Sequence, residues 1–170
     1  MIHYKSIDQS QFAEGTDIKE QERVFDDFLQ DTLLEIQGSH INKTNGAPQE
    51  VHINSNLPDE EVPYIFLKTC NRSEIYYGEG EVPDEVARHL FRVVSGLESA
   101  IVGERAVQGQ VKEAYYTAKA QRPLTAELHR LFQSALQVGK RVRNETEISH
   151  GAVSHSLCLL YTSPSPRILI

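Results

Sequence analysis

From Pro83 to Arg143 the apolar residues recur every three to four positions, and no other feature narrows the possible folds of this chain so far. A 3.6-residue period lays an apolar stripe along one side of a helix, and that stripe must be buried against something else. Val86, Leu90 and Val93 or Val94 make the first stripe, with Pro83 in the opening turn and Ser95-Gly96 as the interruption. A second helical pattern starts near Leu97, meets Gly103 and Gly109, continues through Val111, Ala114, Tyr115 and Ala118, and stops at Pro123. From Thr125 onward Leu128, Leu131, Phe132, Ala135, Leu136 and Val142 form a third stripe, while His129, Arg130, Lys140, Arg141 and Arg143 face elsewhere.

The first half of the chain reads differently. Ile2, Tyr4 and Ile7 suggest a short opening strand, and Asp17 with Glu20 resembles a capping box before a helix. Val24, Phe25, Phe28, Leu29, Thr32, Leu33 and Ile36 give that helix its stripe, and Gly38 is the expected stop. The stretch from Ser39 to Pro63, with NGAPQ and NSNLPDEEVP, is rich in turn formers and acids. It is expected to be a long, exposed and mobile excursion with at most a brief strand at Val51–Ile53. Tyr64–Lys68 and Glu74–Tyr77 are short, rich in aromatic and β-branched residues, and read as two strands. The predicted class is therefore α+β: a small, mostly antiparallel sheet with helices packed on it, followed by a helical C-terminal part. No internal repeats occur.

A length of 170 residues with 39% apolar content suits one domain with its own core. The net charge of -7 argues against a nonspecific nucleic-acid coat, although Lys140, Arg141 and Arg143 make a local basic cluster. That cluster reads either as a phosphate contact or as a solvated helix face near a C-terminus, where cations are favoured anyway. The two cysteines are far apart and lack metal-site spacing, which favours a reducing, cytoplasmic compartment and argues against a disulfide framework or a metal. No run is long and apolar enough to suggest a signal peptide or a membrane span. Residues 158–167, CLLYTSPSPR, resemble the translation of sequencing-adaptor DNA, with an ordinary Pro/Ser tail as the other reading. The expected division is a domain over residues 1–156 and a non-native tail over 157–170, so Cys158 is given no role.

Cys70 stands in KTCNRSEIYYG at the end of the first of the two strands. A thiolate is a strong nucleophile near neutral pH, but a free thiol needs its pKa lowered to become one. Arg72 offers a permanent positive charge and a two-pronged fork for a carboxylate, and Thr69 and Asn71 offer groups for orienting a polar substrate. Free cysteine is also among the most often buried residue types, and composition by itself favours that reading.

The segments TCNRSEIY, RHLFRVVSGLESAIVGERAVQGQVKEAY and LHRLFQSALQVGKRVRNETEISHGAVS, in that order, resemble the N-terminal domain of glutamyl-tRNA reductase. The resemblance implies an enzyme of tetrapyrrole (porphyrin, haem) biosynthesis, acting upstream of 5-aminolevulinate. It implies that Cys70 attacks the ester of glutamyl-tRNA, releases the tRNA and holds a thioester, which NADPH then reduces to glutamate-1-semialdehyde. Thr69, Asn71 and Arg72 match the substrate-binding remainder of the motif, with Arg72 as the carboxylate contact. His89 matches a histidine near the reacting carbonyl, though beside Val86, Leu90 and Val93 it also reads as a satisfied core residue. Ser99 and Gln110 match polar pocket positions, Glu104 a binding loop, and Arg105 and Ala106 stand where many relatives read Pro-Gln.

The family places an NADPH-binding Rossmann domain and a dimerising helical domain after the segment that is here Gly151–Ser154. Gly96, Gly103 and Gly109 do not form GxGxxG, so NADPH is expected only in a full-length protein. The implied partners are glutamyl-tRNA, a second copy in the full-length homodimer, and glutamate-1-semialdehyde aminomutase; no membrane and no metal are implied. Two other readings stay open at this point: a non-catalytic tRNA- or protein-binding module built on the same fold, and a Cys-His hydrolase, for which the sequence identifies no residue to orient His89.

Overall fold

The middle strand of the sheet is the last one in the chain, and its two neighbours reach it from opposite sides. In a computed structural model, which describes residues 1–12, 16–44, 63–69, 71–148 and 150, β1 (Ile2–Asp8) and β2 (Tyr64–Lys68) both pair antiparallel with β3 (Arg72–Gly78). The helices are α1 (Ile18–Thr44), α2 (Asp84–Val94), α3 (Ala106–Gln121) and α4 (Ala126–Glu145). The α+β class expected from the changing apolar period is the class observed.

Alternation along the strands sends side chains to two separate cores. Ile2, Ile65, Leu67 and Tyr76 face α2, α3 and α4, where Leu90, Val94, Val111, Leu128 and Phe132 complete the larger core. Ile75, Phe66 and Tyr77 face the other way, against Phe28, Leu33 and Ile36 of α1. The Tyr76 ring meets Phe132 edge-on at 5.2 Å. Complete burial of a side chain the size of Leu90 or Ile65 contributes roughly 1.5–3 kcal/mol, so the apolar stripes read from the sequence are what hold the helices to the sheet.

Three expectations are corrected. Gly38 does not stop α1, which continues to Thr44; nothing packs within 4 Å of where a Gly38 side chain would begin, and a helical glycine costs only about 1 kcal/mol. The second stripe does not start a helix at Leu97. Gly96 and Gly103 both adopt positive φ (81° and 83°) and the Gly103 amide donates to the Gly96 carbonyl at 3.0 Å, so residues 95–105 form a compact loop and α3 begins at Ala106. Arg143 does not simply face elsewhere: its guanidinium is partly buried and donates to the carbonyls of Gly139 and Glu104. The proposed strand at Val51–Ile53 and the tail from 157 lie outside the described residues. Among the described residues, no helix is long and apolar enough to cross a membrane.

Candidate functional site

The hairpin between β2 and β3 is closed by Thr69. Its amide donates to the Arg72 carbonyl at 2.9 Å, and its hydroxyl oxygen accepts from the amides of Asn71 (3.2 Å) and Arg72 (3.1 Å). A threonine here turns its side chain back onto the backbone, the local bonding that suits Ser and Thr to turns. The Gln9 amide, arriving from the end of β1, adds a bond to the Asn71 carbonyl at 2.9 Å. The hairpin end is thus fixed from both sides. Cys70 itself lies outside the described residues.

Six of the residues singled out from sequence converge beside that hairpin. Thr69, Asn71 and Arg72 from the sheet, Ser99 and Glu104 from the loop after α2, and Gln110 from α3 line one cleft, with Val93 and Val107 as its apolar wall. Its volume is about 10 Å³, room for about one water. Asn71 is almost wholly buried there, and its Oδ1 has no hydrogen-bond partner among the described residues. A larger polar guest requires the lining side chains to shift outward.

Arg72 is held by a group that sequence reasoning missed. Glu74 is completely buried in the middle of β3, and three side chains converge on its carboxylate. The Tyr76 hydroxyl donates at 2.6 Å, His89 Nε2 at 2.9 Å and Arg72 at 3.3 Å, while the other arm of Arg72 donates to the Glu98 carbonyl. Burial pushes the Glu74 carboxyl up, but the His89 hydrogen bond and charge, the Tyr76 hydroxyl and the Arg72 guanidinium together outweigh it and hold it below its ordinary value. The same carboxylate works on Tyr76, whose hydroxyl is raised well above the usual tyrosine value by burial first and Glu74 second. The available signal was the spacing of Arg72, Glu74 and Tyr76, which puts an acid, its cation and a phenol on one face of a strand.

The remaining candidates lie elsewhere. His89 does not line the cleft; it stacks on Tyr4, with ring centroids 4.4 Å apart, and reaches Arg72 only through Glu74. Arg105 and Ala106 are exposed at the start of α3, adjacent in the chain to Glu104 but outside the cleft wall.

Fold and cleft together define a class: an α+β domain with a polar cleft built on a strand end and a helix-connecting loop. Residues 79–146 match the family model described as the N-terminal domain of glutamyl-tRNAGlu reductase. The match begins just after β3, so the hairpin lies outside it. The chain is 41% identical over 110 residues to a glutamyl-tRNA reductase of Thermus thermophilus, covering 53% of this chain and 28% of that protein. It is 37% identical over 116 residues to the Shewanella oneidensis enzyme of the same name, again covering 53% and 28%. In structure it is similar to the glutamyl-tRNA reductase from Methanopyrus kandleri, with a TM-score of 0.60, 28% identity, and coverage of 90% of this chain and 37% of that one. The chain therefore spans well under half the length of the relatives it matches.

Proposed function

We propose that this chain is the glutamyl-binding portion of a glutamyl-tRNA reductase serving tetrapyrrole biosynthesis, with Cys70 as nucleophile. The observation that carries the reading is the convergence of Thr69, Asn71, Arg72, Ser99, Glu104 and Gln110 on one cleft beside the hairpin that contains Cys70. Arg72 suits the glutamyl carboxylate, because a guanidinium offers several donors in one plane and Glu74 limits where it can go. In the proposed step the Cys70 thiolate attacks the ester carbonyl carbon, the bond from that carbon to the ribose oxygen breaks, and the ribose hydroxyl leaves with a proton from solvent or a nearby acid. The product is a thioester, whose carbonyl is more open to hydride than the original ester. A reducing, cytoplasmic setting keeps such a thiol free.

The described residues do not fit a dinucleotide: the sheet is wholly antiparallel, and the turn that carries β3 into α2, GEGEVP, has Pro83 where GxGxxG needs its third glycine. No step is therefore routed through NADPH here, and reduction is proposed only for a longer protein that carries such a domain. Incubation with glutamyl-tRNA labelled in the amino acid tests the reading. Label should remain on the chain after gel filtration in urea and disappear in Cys70→Ser; equal labelling of the two refutes it. One observation favours hydrolysis as a second outcome, since Glu74 supplies the orienting partner for His89 that the sequence did not reveal. In that case free glutamate accumulates and no label stays bound.

A further inference from the structure

Two arginines meet beside the cleft, and among the described residues no ion pair joins an acid to either. Arg143, near the end of α4, reaches across to the loop and donates to the carbonyl of Glu104 at 3.2 Å, the residue whose own buried side chain lines the cleft. Arg105 is the next residue and is exposed. The two guanidinium groups are close enough to repel: burial first, and Arg105 second, lower Arg143 below the usual arginine value. Arg143 Nε is buried and has no hydrogen-bond partner among the described residues. Lys140 lies three residues earlier on α4 and is exposed, so it adds charge of the same sign to that face.

The neighbouring acids are already engaged. Glu98 takes Arg92 and, through its carbonyl, Arg72; Glu145 takes Arg141 at 3.1 Å; Glu147 sits beside His150. The first turn of α3 carries no acidic residue, so the helix dipole favours an anion at the same place. A chain of net charge -7 that gathers cations here, against their mutual repulsion, has a surface suited to a group with more than one anionic oxygen.

We propose that Arg105 and Arg143, with Lys140 behind them, form a lip that binds a phosphodiester of the RNA carrying the glutamyl group. The inference rests on the glutamyl-tRNA reading above and adds the place where the nucleic acid lies. With the amino acid in the cleft, the nearest phosphate is the one on the 5′ oxygen of the same ribose that carries the ester. Such a contact positions the RNA without reading its sequence.

The test uses the full 170-residue chain and a fluorescein-labelled, uncharged tRNA transcript, with anisotropy followed from 50 to 200 mM salt. Arg105→Glu should weaken binding about tenfold at the low-salt end and reduce the slope of log K against log salt by roughly 0.7, the value for one phosphate on a single strand. Arg105→Lys should stay within about threefold of the unaltered chain, because a point charge still meets a phosphate. Lys119→Glu, an exposed residue at the far end of α3, carries the same change of net charge and should leave affinity and slope unaltered. Binding too weak to measure at 100 μM protein (roughly the weak end of nonspecific affinity), an Arg105→Glu chain indistinguishable from the unaltered one, or an equal loss in Lys119→Glu overturns the proposal. Because uncharged tRNA forms no thioester, failure of Cys70 labelling leaves this measurement intact, and failure here leaves the labelling test intact.

Discussion

Replacing Glu74 by glutamine removes one negative charge and changes almost no volume. The carboxylate accepts from Tyr76 at 2.6 Å, His89 at 2.9 Å and Arg72 at 3.3 Å, and it has no exposure to water that could substitute for a lost partner. The amide oxygen can still accept from His89 and Arg72, which share one carboxylate oxygen. The amide nitrogen donates toward the Tyr76 hydroxyl, which must turn to accept, and all three bonds lose the carboxylate's charge. Charge-assisted bonds contribute about 1.5–3 kcal/mol and neutral ones about 0.5–1.5, a deficit near 1 kcal/mol for each bond. Three bonds therefore give a loss of about 3 kcal/mol, at the lower end of the roughly 3–5 kcal/mol seen when one partner of a buried pair is removed. For a chain of this size that corresponds to a melting temperature lower by about 6–12 °C.

The pH dependence gives a second handle on the same carboxylate. Its pKa in the folded chain lies below the ordinary value, so its contribution is fully present above about pH 4.3 and is lost as pH falls through the folded-state value. Glutamine has no proton to take up. The stability gap between the two proteins should be widest near neutral pH and should close on acidification below about pH 4. Urea unfolding followed by circular dichroism at pH 7 and at about pH 2.5, well below the ordinary carboxylate value, measures both effects. A Glu74→Gln chain within about 0.5 kcal/mol of the unaltered one at pH 7, or a gap of the same size at both pH values, would refute the argument that this carboxylate is ionised and organises the site.

Other substitutions probe the parts around it. Arg72→Lys keeps the charge but not the fork that spans Glu74 and the Glu98 carbonyl, so labelling of Cys70 by glutamyl-tRNA should fall about 30- to 100-fold, the equivalent of about 2–3 kcal/mol for a lost charge-assisted bond; labelling within threefold contradicts the role given to Arg72. Gly103→Ala puts a methyl group 1.8 Å from the Ile148 carbonyl oxygen at a residue with φ of +83°, so the unfolding free energy should drop by about 2–3 kcal/mol and the urea midpoint should move with it. Thr125→Ala removes the cap that accepts from the Leu128 amide at 3.3 Å and donates to the Gly78 carbonyl at 3.2 Å, with a loss of about 1 kcal/mol by the same measurement.

What was legible in the sequence depended on whether a local pattern had one physical meaning or two. The stripes of α2 and α4 have one, since Leu90, Val94, Leu128 and Phe132 at helical spacing can only be buried together, and they are. Glu74 has two. In a strand with one wetted face an acid between Ser73 and Ile75 is ordinary, and only the arrival of α2, which brings His89 over it, makes it a buried hub. Glycine shows the ambiguity most clearly. Gly96 and Gly103 break the helical pattern because the chain there needs a left-handed backbone, and a Gly103 side chain would collide with the backbone of Ile148. Gly38 and Gly109 sit inside helices with open space beside them, and Gly139 is helical with Val94 of α2 packed where its Cβ would be, 3.0 Å from the Val94 Cγ2 atom. The residue type is the same in all five cases, and what lies across from each one decides whether the helix stops. Because the loop from 95 to 105 exists only through two of those decisions, so does the cleft: Ser99 and Glu104 face Arg72 only because that stretch is not helical.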